Sequence, residues 1–404
     1  MNPHVDSEFL LLLSDNATGG AAVATCRLLE GLTDSGQRVE WWNFSPRTTL
    51  REGLQVQWLN PERKRPGLER IIKNFSPHFA EKMRRKRHRA TFHHRIAQHP
   101  PRLINCHNIH SCGLNHDDLC ALPPHIPLVW TLHDCWSFQP KAFEWWNAQL
   151  GMKEAICVDA PEATSKERRR AFFAARPDVV LVAPSYWLRD EARKQLPHLR
   201  IEHIPYAVCG ETFYPHDPVA VRIELGLDQQ KIWLATAATH AYNRKGLDIL
   251  AAALHQIDCR GMGLLNWGQE PNLEWPADLE VRSMGSISDD SDLSRLYSAA
   301  DIFICPSRSD NLPNTILESL SCGVPVIGSN TGGIPDMVRP GETGWLFESG
   351  DIDACALSIQ QAIADRPLWP AIKLRCGEIA GTDYSPKTQA QAYLRLFSSL
   401  IAAP

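Results

Sequence analysis

Short, unbroken apolar runs recur along this chain in two separate series, and few folds accommodate that pattern. In the first series the runs are Phe9–Leu13, Val39–Phe44, Leu103–His107, Leu128–Leu132, Val179–Ala183 and Ile201–Pro205. The second begins at Ile232–Ala237 and continues through Gly263–Trp267, Leu279–Ser283, Ile302–Cys305 and Val324–Gly328. A strand with no polar face must be covered on both sides, which is the condition inside a parallel sheet. Helix-like stretches separate the runs, so each series predicts a doubly wound, Rossmann-like α/β unit. A length of 404 residues also exceeds one ordinary domain. The polar, proline-bearing stretch Phe213-Tyr214-Pro215-His216-Asp217-Pro218 reads as the passage between units. The expected organisation is a first unit over 1–212, a second over 219–384 and a terminal segment over 385–404. In that segment Tyr393, Leu396, Phe397, Leu400 and Ile401 recur at helical spacing.

Composition narrows the class. A net charge of -4 argues against a nucleic-acid partner. No apolar run is long enough to span a bilayer, and Phe9–Leu13 is too short for a signal peptide. The twelve cysteines contain no Cys-x-x-Cys pair and read as reduced packing residues of a cytosolic protein. Cys106, His107, His110, Cys112 and His116 cluster in sequence, but their spacing matches no standard zinc pattern, so no metal is expected.

The richest segment runs from Cys305 to Phe347: CPSRSDNLPNTILESLSCGVPVIGSNTGGIPDMVRPGETGWLF. It reads as the end of a strand, then a helix from Asn314 to Cys322 with Asn314 as N-cap and Gly323 as stop. The next strand follows, and Gly332-Gly333 turns the chain at its carboxyl end, the edge where open α/β sheets bind ligands. Asp310 in the loop and Glu318 on the helix can face the same crevice, and carboxylates accept hydrogen bonds from sugar or ribose hydroxyls. In the first half, Ser14 to Ala22 is a glycine-rich strand-to-helix turn that is neither Gly-x-Gly-x-x-Gly nor a Walker loop. His107-Asn108-Ile109-His110 and Thr131-Leu132-His133-Asp134-Cys135-Trp136 each follow a strand. Asn243-Arg244-Lys245-Gly246 follows the first strand of the second series and places Lys245 at a loop-to-helix junction. Lys82 to Arg95 holds seven Lys or Arg and three His, either a solvated helix face or a patch for an anionic membrane surface.

Together these motifs resemble the retaining family 4 glycosyltransferases, enzymes of the GT-B fold. The resemblance covers most of the chain and is most specific over 301–347. It implies two Rossmann-like domains facing across a cleft, with the terminal helix returning to the first. The family's pair of glutamates becomes Asp310 and Glu318 here, Asp310 being one methylene shorter. On this resemblance Glu318 holds the donor ribose, and Asp310 with the backbone of Asn311, Leu312 and Pro313 holds the sugar. The helix start at Asn314 and Thr315 lies beside the donor. Lys245 binds the diphosphate, and Arg244 belongs to the donor set although neighbours on a helix start do not face the same way. Gly268, Ser286 and Ile287 line the nucleotide pocket. His133 contacts the donor sugar, Asp134 fixes its loop, and Gly19, Gly20 and His110 reach the cleft. Ser185 and Trp187 match another family element, or form a plain helix cap with a packed aromatic.

The implied activity is transfer of a sugar from a nucleotide-diphosphate donor to a hydroxyl of a glycan or lipid-linked acceptor, without a bound metal. The expected place is the cytoplasm, with peripheral membrane contact through Lys82–Arg95. Three other readings stand beside it: a sugar-nucleotide epimerase of the same architecture, a nucleotide-sugar-binding subunit without activity, and a membrane scaffold.

Overall fold

Two parallel sheets account for the two apolar series. The structure, a computed structural model, describes residues 9–14, 19–44, 53–59, 76–109, 114–139, 141–147, 152–157, 162–238, 242–269 and 272–402. In chain order the strands are β1 (Leu10–Leu13), β2 (Val39–Asn43), β3 (Gln55–Trp58), β4 (Leu103–Cys106), β5 (Leu128–Thr131), β6 (Lys141–Asn147), β7 (Met152–Cys157), β8 (Val180–Ala183) and β9 (Ile201–His203). They continue as β10 (Ile232–Ala238), β11 (Met262–Gly268), β12 (Glu280–Ser283), β13 (Ile302–Cys305), β14 (Val326–Asn330) and β15 (Gly344–Glu348). The helices that bear on the site are α1 (Gly20–Asp34), α2 (Pro77–Gln98), α3 (Tyr186–Gln195), α4 (Tyr242–Lys245), α5 (Asp290–Ala299), α6 (Asn314–Ser321) and α7 (Pro386–Ile401).

The first sheet has the order β3-β2-β1-β4-β5-β8-β9 and the second β12-β11-β10-β13-β14-β15; β6 and β7 form a separate antiparallel hairpin. Every pairing in the two large sheets is parallel. The strands are apolar on both faces because each face has its own core. Leu11 and Leu13 of β1 pack into one cluster with Trp42 and Ile104, while Leu10 and Leu12 pack into another with Trp41 and Val129. Leu234 and its neighbours Trp233 and Ala235 divide in the same way between the two faces of the second sheet.

This order locates the site. Both sheets reverse direction of winding once, between β1 and β4 in the first and between β10 and β13 in the second. Loops leaving the carboxyl ends of strands on either side of such a reversal diverge, and the crevice between them is where open α/β sheets take ligands. The segments leaving β10 and β13 carry Arg244, Lys245 and Asp310, and those leaving β1, β4 and β5 carry Gly19, His107 and His133.

The terminal helix α7 docks on the first sheet. Tyr393, Leu396 and Phe397 join the cluster of Leu10, Leu12 and Trp41, and the Tyr393 hydroxyl lies 2.8 Å from Thr131 Oγ1. Two passages therefore run between the sheets. They lie side by side, tied by a hydrogen bond from the Val208 amide to the Tyr384 carbonyl at 2.8 Å. Tyr206 and Val208 already pack with the second core, ahead of the polar stretch at 213–218.

Three features differ from expectation. β3 and β15 are sheet edges, with mixed rather than apolar sequences, and the β6–β7 hairpin belongs to neither series. Asn314 is not a cap: Pro313 occupies the N-cap of α6 without a side-chain bond, and Asn314 is the first helical residue. The ten described cysteines are all free, and burial pushes the Cys322, Cys355 and Cys376 thiols up to about 12. Among the described residues no helix is long and apolar enough to cross a membrane. The Phe397 ring is buried between α7 and the first sheet. Phe397→Ala is therefore expected to lower unfolding free energy by about 3–5 kcal/mol, read by chemical denaturation. A loss below about 1 kcal/mol would mean that the terminal helix contributes little to the first core.

Candidate active site

A cluster of charge occupies the reversal point of the second sheet. After β10 the chain forms the single turn α4, and Gly246 follows in the left-handed region with φ 68°. A Cβ there would lie 1.9 Å from the Pro306 carbonyl oxygen, so only glycine lets this turn reach the loop after β13. The approach brings Lys245 Nζ to 2.6 Å and Arg244 Nη1 to 3.3 Å from the same oxygen of Asp310. Arg244 also donates to the Ser309 carbonyl at 2.8 Å, and its guanidinium lies 4.6 Å from the centre of the Phe143 ring on the hairpin. The adjacent Arg244 and Lys245 thus converge, against the expectation that neighbours diverge. Both arms are long, α4 is only one turn, and their common target lies across the loop. Burial pushes the Asp310 carboxyl up, but the Lys245 and Arg244 charges outweigh it and hold it at about 2. Arg308, which sequence reasoning passed over, pins the arrangement: it donates to both oxygens of Asp248 at 2.7 and 2.5 Å and to the Asn243 carbonyl at 2.6 Å.

The Asp310–Pro313 loop is held from both sides. Gly332 sits against it at φ 54°, where a Cβ would lie 1.7 Å from the Asp310 carbonyl oxygen, so the glycine turn read from sequence is a backing for this loop. On the other side Asn311 crosses to the first domain. Its amide nitrogen donates to the His133 carbonyl at 3.1 Å, and its amide oxygen accepts from Ser185 Oγ at 2.6 Å. Ser185 also caps α3 by accepting from the Leu188 amide. Leu312 is buried, and Asn314 Nδ2 donates to the Gly20 carbonyl at 2.9 Å.

On the first domain's side His133 lies in a buried polar chain. Its Nε2 is 2.9 Å from His107 Nδ1, and its Nδ1 is 2.6 Å from the Tyr206 hydroxyl. Beyond His107 the chain continues through Asn105 at 3.4 Å to Thr131 and Tyr393. With the Asn105 amide nitrogen donating to His107 Nε2, one direction satisfies every member. His107 Nδ1–H donates to His133 Nε2, and His133 Nδ1–H donates to Tyr206. Burial and the neighbouring His133 hold His107 neutral, far below the usual imidazole range. Both ring nitrogens of His133 therefore have protein partners. Asp134 fixes the loop, accepting from the Trp136 amide at 2.8 Å. His116 donates to the Ser137 carbonyl at 2.7 Å and packs between Trp130, Trp136 and Phe172, a core role. His110 and Cys112 lie outside the described residues. Among those described, no group of His, Cys, Asp and Glu is placed to hold a metal ion.

Glu318 occupies a different position from the cation cluster. Arg27 of α1 donates to Glu318 Oε1 at 2.7 Å, and the Tyr297 hydroxyl donates to Oε2 at 3.1 Å. Burial pushes the Glu318 carboxyl up, with Arg27 opposing. Gly268 ends β11, its amide bonded to the Gly285 carbonyl at 2.8 Å, and the exposed Ser286 and half-buried Ile287 follow β12 at the same sheet edge.

A model described as Glycosyltransferase Family 4 matches residues 18–211, and one described as Glycosyl transferases group 1 matches residues 230–365. Between them they take in both halves of the cleft. The chain belongs to the family 4 glycosyltransferases. Curated relatives of this chain include the lipopolysaccharide core biosynthesis glycosyltransferase LpsE of Rhizobium meliloti, 33% identical over 39% of this chain and 47% of its own. The GDP-mannose-dependent alpha-(1-6)-phosphatidylinositol monomannoside mannosyltransferase of Mycobacterium tuberculosis is 30% identical over 47% of this chain and 53% of its own. The chain thus spans about half the length of these two relatives, and 15% of a sulfoquinovosyl transferase of Arabidopsis thaliana that is 38% identical where it matches. Among solved structures, sucrose-phosphate synthase from Thermosynechococcus elongatus superposes with a TM-score of 0.74 at 20% identity, covering 98% of this chain and 100% of that one. Anabaena HepE in complex with UDP and glucose gives 0.68 at 17% identity, covering 96% and 99%. These likenesses show the fold, GT-B.

Asn311 is the loop's buried tie to the first domain. Asn311→Ala leaves the His133 carbonyl and Ser185 without it, and is expected to cost about 1–3 kcal/mol, measured by thermal and chemical unfolding. Wild-type stability in that variant would show the tie to be dispensable.

Proposed function

We propose that this chain transfers a sugar from a nucleotide-diphosphate sugar to an acceptor hydroxyl with retention of anomeric configuration. The observation that carries the reading is the convergence of Lys245 and Arg244 on Asp310 at the reversal point of the second sheet. A departing diphosphate needs fixed positive charge, and a preorganised pair of cations in a buried site supplies it without reorganisation. Asp310 keeps both cations together. Its shorter arm still reaches Lys245 at 2.6 Å, which favours a working enzyme over an inactive binding subunit.

In the proposed reaction the bond from the anomeric carbon to the diphosphate oxygen breaks, and its electron pair leaves with the phosphate, next to Lys245. The acceptor oxygen attacks from the same face, and its proton passes to the departing phosphate oxygen. No protein nucleophile is required. His133, with both nitrogens engaged, shapes the pocket and moves no proton. The charge that a metal would bring is supplied by Lys245 and Arg244, so transfer is metal-independent in this reading.

For the acceptor we favour a glycan or lipid-linked hydroxyl in glycoconjugate synthesis at the cytoplasmic membrane face. Two relatives named above act in lipopolysaccharide core synthesis or on a phosphatidylinositol mannoside, by their names. Helix α2 of this chain exposes Lys82, Met83, Arg84, Arg85 and Lys86 in succession, a surface suited to anionic lipid.

A screen of UDP-, GDP-, ADP- and TDP-sugars by thermal shift is expected to show stabilisation by one nucleotide series, with sugar transfer or slow hydrolysis that EDTA leaves unchanged. Lys245→Ala should lower turnover by about 10²–10³-fold while the fold persists. Full activity in that variant would remove Lys245 from the site, and no binding across the panel would sink the reading. Cosedimentation with vesicles rich in phosphatidylglycerol should fall about ten-fold or more in Lys82→Glu/Lys86→Glu. Equal binding by the reversed-charge protein would dismiss the membrane surface.

A further inference from the structure

Arg27 has no part in any motif, yet it is the most completely engaged cation linking the two halves of the described site. It is 6% exposed, and its partners all lie outside α1. It donates to Glu318 at 2.7 Å, to Asn314 Oδ1 at 3.4 Å and to the Ala207 carbonyl at 3.3 Å, and it lies 5.3 Å from the centre of the Phe213 ring. Two of these partners are on α6 and two on the passage between the sheets. Asn314 in turn donates to the Gly20 carbonyl at the start of α1, so α1 and α6 are joined at two levels one helical turn or more apart.

We propose that Arg27 is a positioning residue for the donor: it fixes the Glu318 carboxylate from across the domain boundary and registers the Gly19–Gly20 turn against the Asp310–Pro313 loop. The inference rests on the reading of Glu318 as the ribose-binding carboxylate. Two alternatives for so buried a cation are a gate that the donor displaces and a purely structural bolt. A gate is disfavoured by the four partners, since displacement would break contacts to a carboxylate, an amide, a carbonyl and a ring at once. Each Glu318 oxygen uses one acceptor site, on Arg27 or on Tyr297, and keeps a second for a hydroxyl donor. Arg27 and a ribose are therefore compatible partners of the same carboxylate.

The charges around Glu318 make the role measurable. From α1 it faces Arg27, and from α5 it faces Tyr297 and the carboxylate of Asp290; Cys322 lies at the end of its own helix. Tyr297 and Cys322 stay neutral, because burial pushes the phenol well above its ordinary range and the thiol up to about 12. Burial and Asp290 both oppose ionisation of Glu318, and Arg27 is the cation opposing them. Without Arg27 the carboxyl titrates higher, so the fraction ionised at neutral pH falls and recovers as pH rises. The defect in donor binding should follow the same course.

The experiment compares wild type, Arg27→Met, Arg27→Lys and Glu318→Gln, all as the full chain, with the nucleotide sugar selected by the screen above. Folding of each is checked by thermal unfolding, and donor KM and kcat are followed from about pH 6 to pH 9. Arg27→Met is expected to raise donor KM by about ten-fold or more at pH 7, with a smaller change in kcat, and the deficit should shrink toward pH 9. Arg27→Lys should recover part of it. Glu318→Gln should raise KM without that pH dependence. A folded Arg27→Met with unchanged or lower donor KM, or with a deficit flat in pH, overturns the proposal. If Arg27→Met does not fold, Arg27→Lys decides: wild-type KM and pH profile there overturn it, and a raised KM that falls with pH supports it. A wild-type chain that binds no nucleotide sugar defeats the donor reading instead, which is a separate outcome.

Discussion

The second domain's side of this cleft is organised around one buried carboxylate. Asp310 holds Lys245 and Arg244 together, and its own loop exists in that place because two glycines allow backbone to lie against backbone on either side. Without a partner, two cations so close would repel, and a buried carboxylate would protonate. Together they form a set whose charges satisfy one another. The same loop carries Asn311 into the first domain, so the local electrostatics and the fit of the two domains are decided within a few residues.

On the opposite wall the polar groups are arranged for rigidity. The chain from Tyr393 through Thr131, Asn105 and His107 to His133 and Tyr206 satisfies its members in one direction, and it begins on the last helix of the protein. Fully satisfied buried networks specify a single arrangement, whereas a partly satisfied one would be costly. A histidine held in this way offers a fixed surface and a fixed carbonyl.

The sheets were legible in the sequence because strands buried on both faces leave unbroken apolar runs, as in Leu10–Leu13 and Ile302–Cys305. Of the four edge strands β9 and β12 were legible too, while β3 and β15 were missed, since a strand with one neighbour tolerates Gln, Glu and Gly. The cleft residues carried by short glycine-punctuated motifs were recognisable, and Lys245 and Asp310 do meet. Arg27 was not, because a charge on a helix ordinarily reads as solvated. One signal was available: positions 20, 24, 27 and 31 share a helical face on which the other residues are Gly, Ala and Gly. A face that small packs closely, and a charge set within it must find its partner in the protein. Asn314 misled as a cap for a similar reason, its amide being drawn to Gly20 rather than to its own helix.

The paired passages between the sheets have a mechanical consequence. A single connecting passage would leave one domain freer to roll and twist on the other. Here two passages cross together, bonded through Val208 and Tyr384, and the second is anchored at once by the docked terminal helix. Two ties at the joint restrict torsion of one domain on the other more than a single passage would. The register of the facing walls is thus set by the connections as well as by the contacts across the cleft.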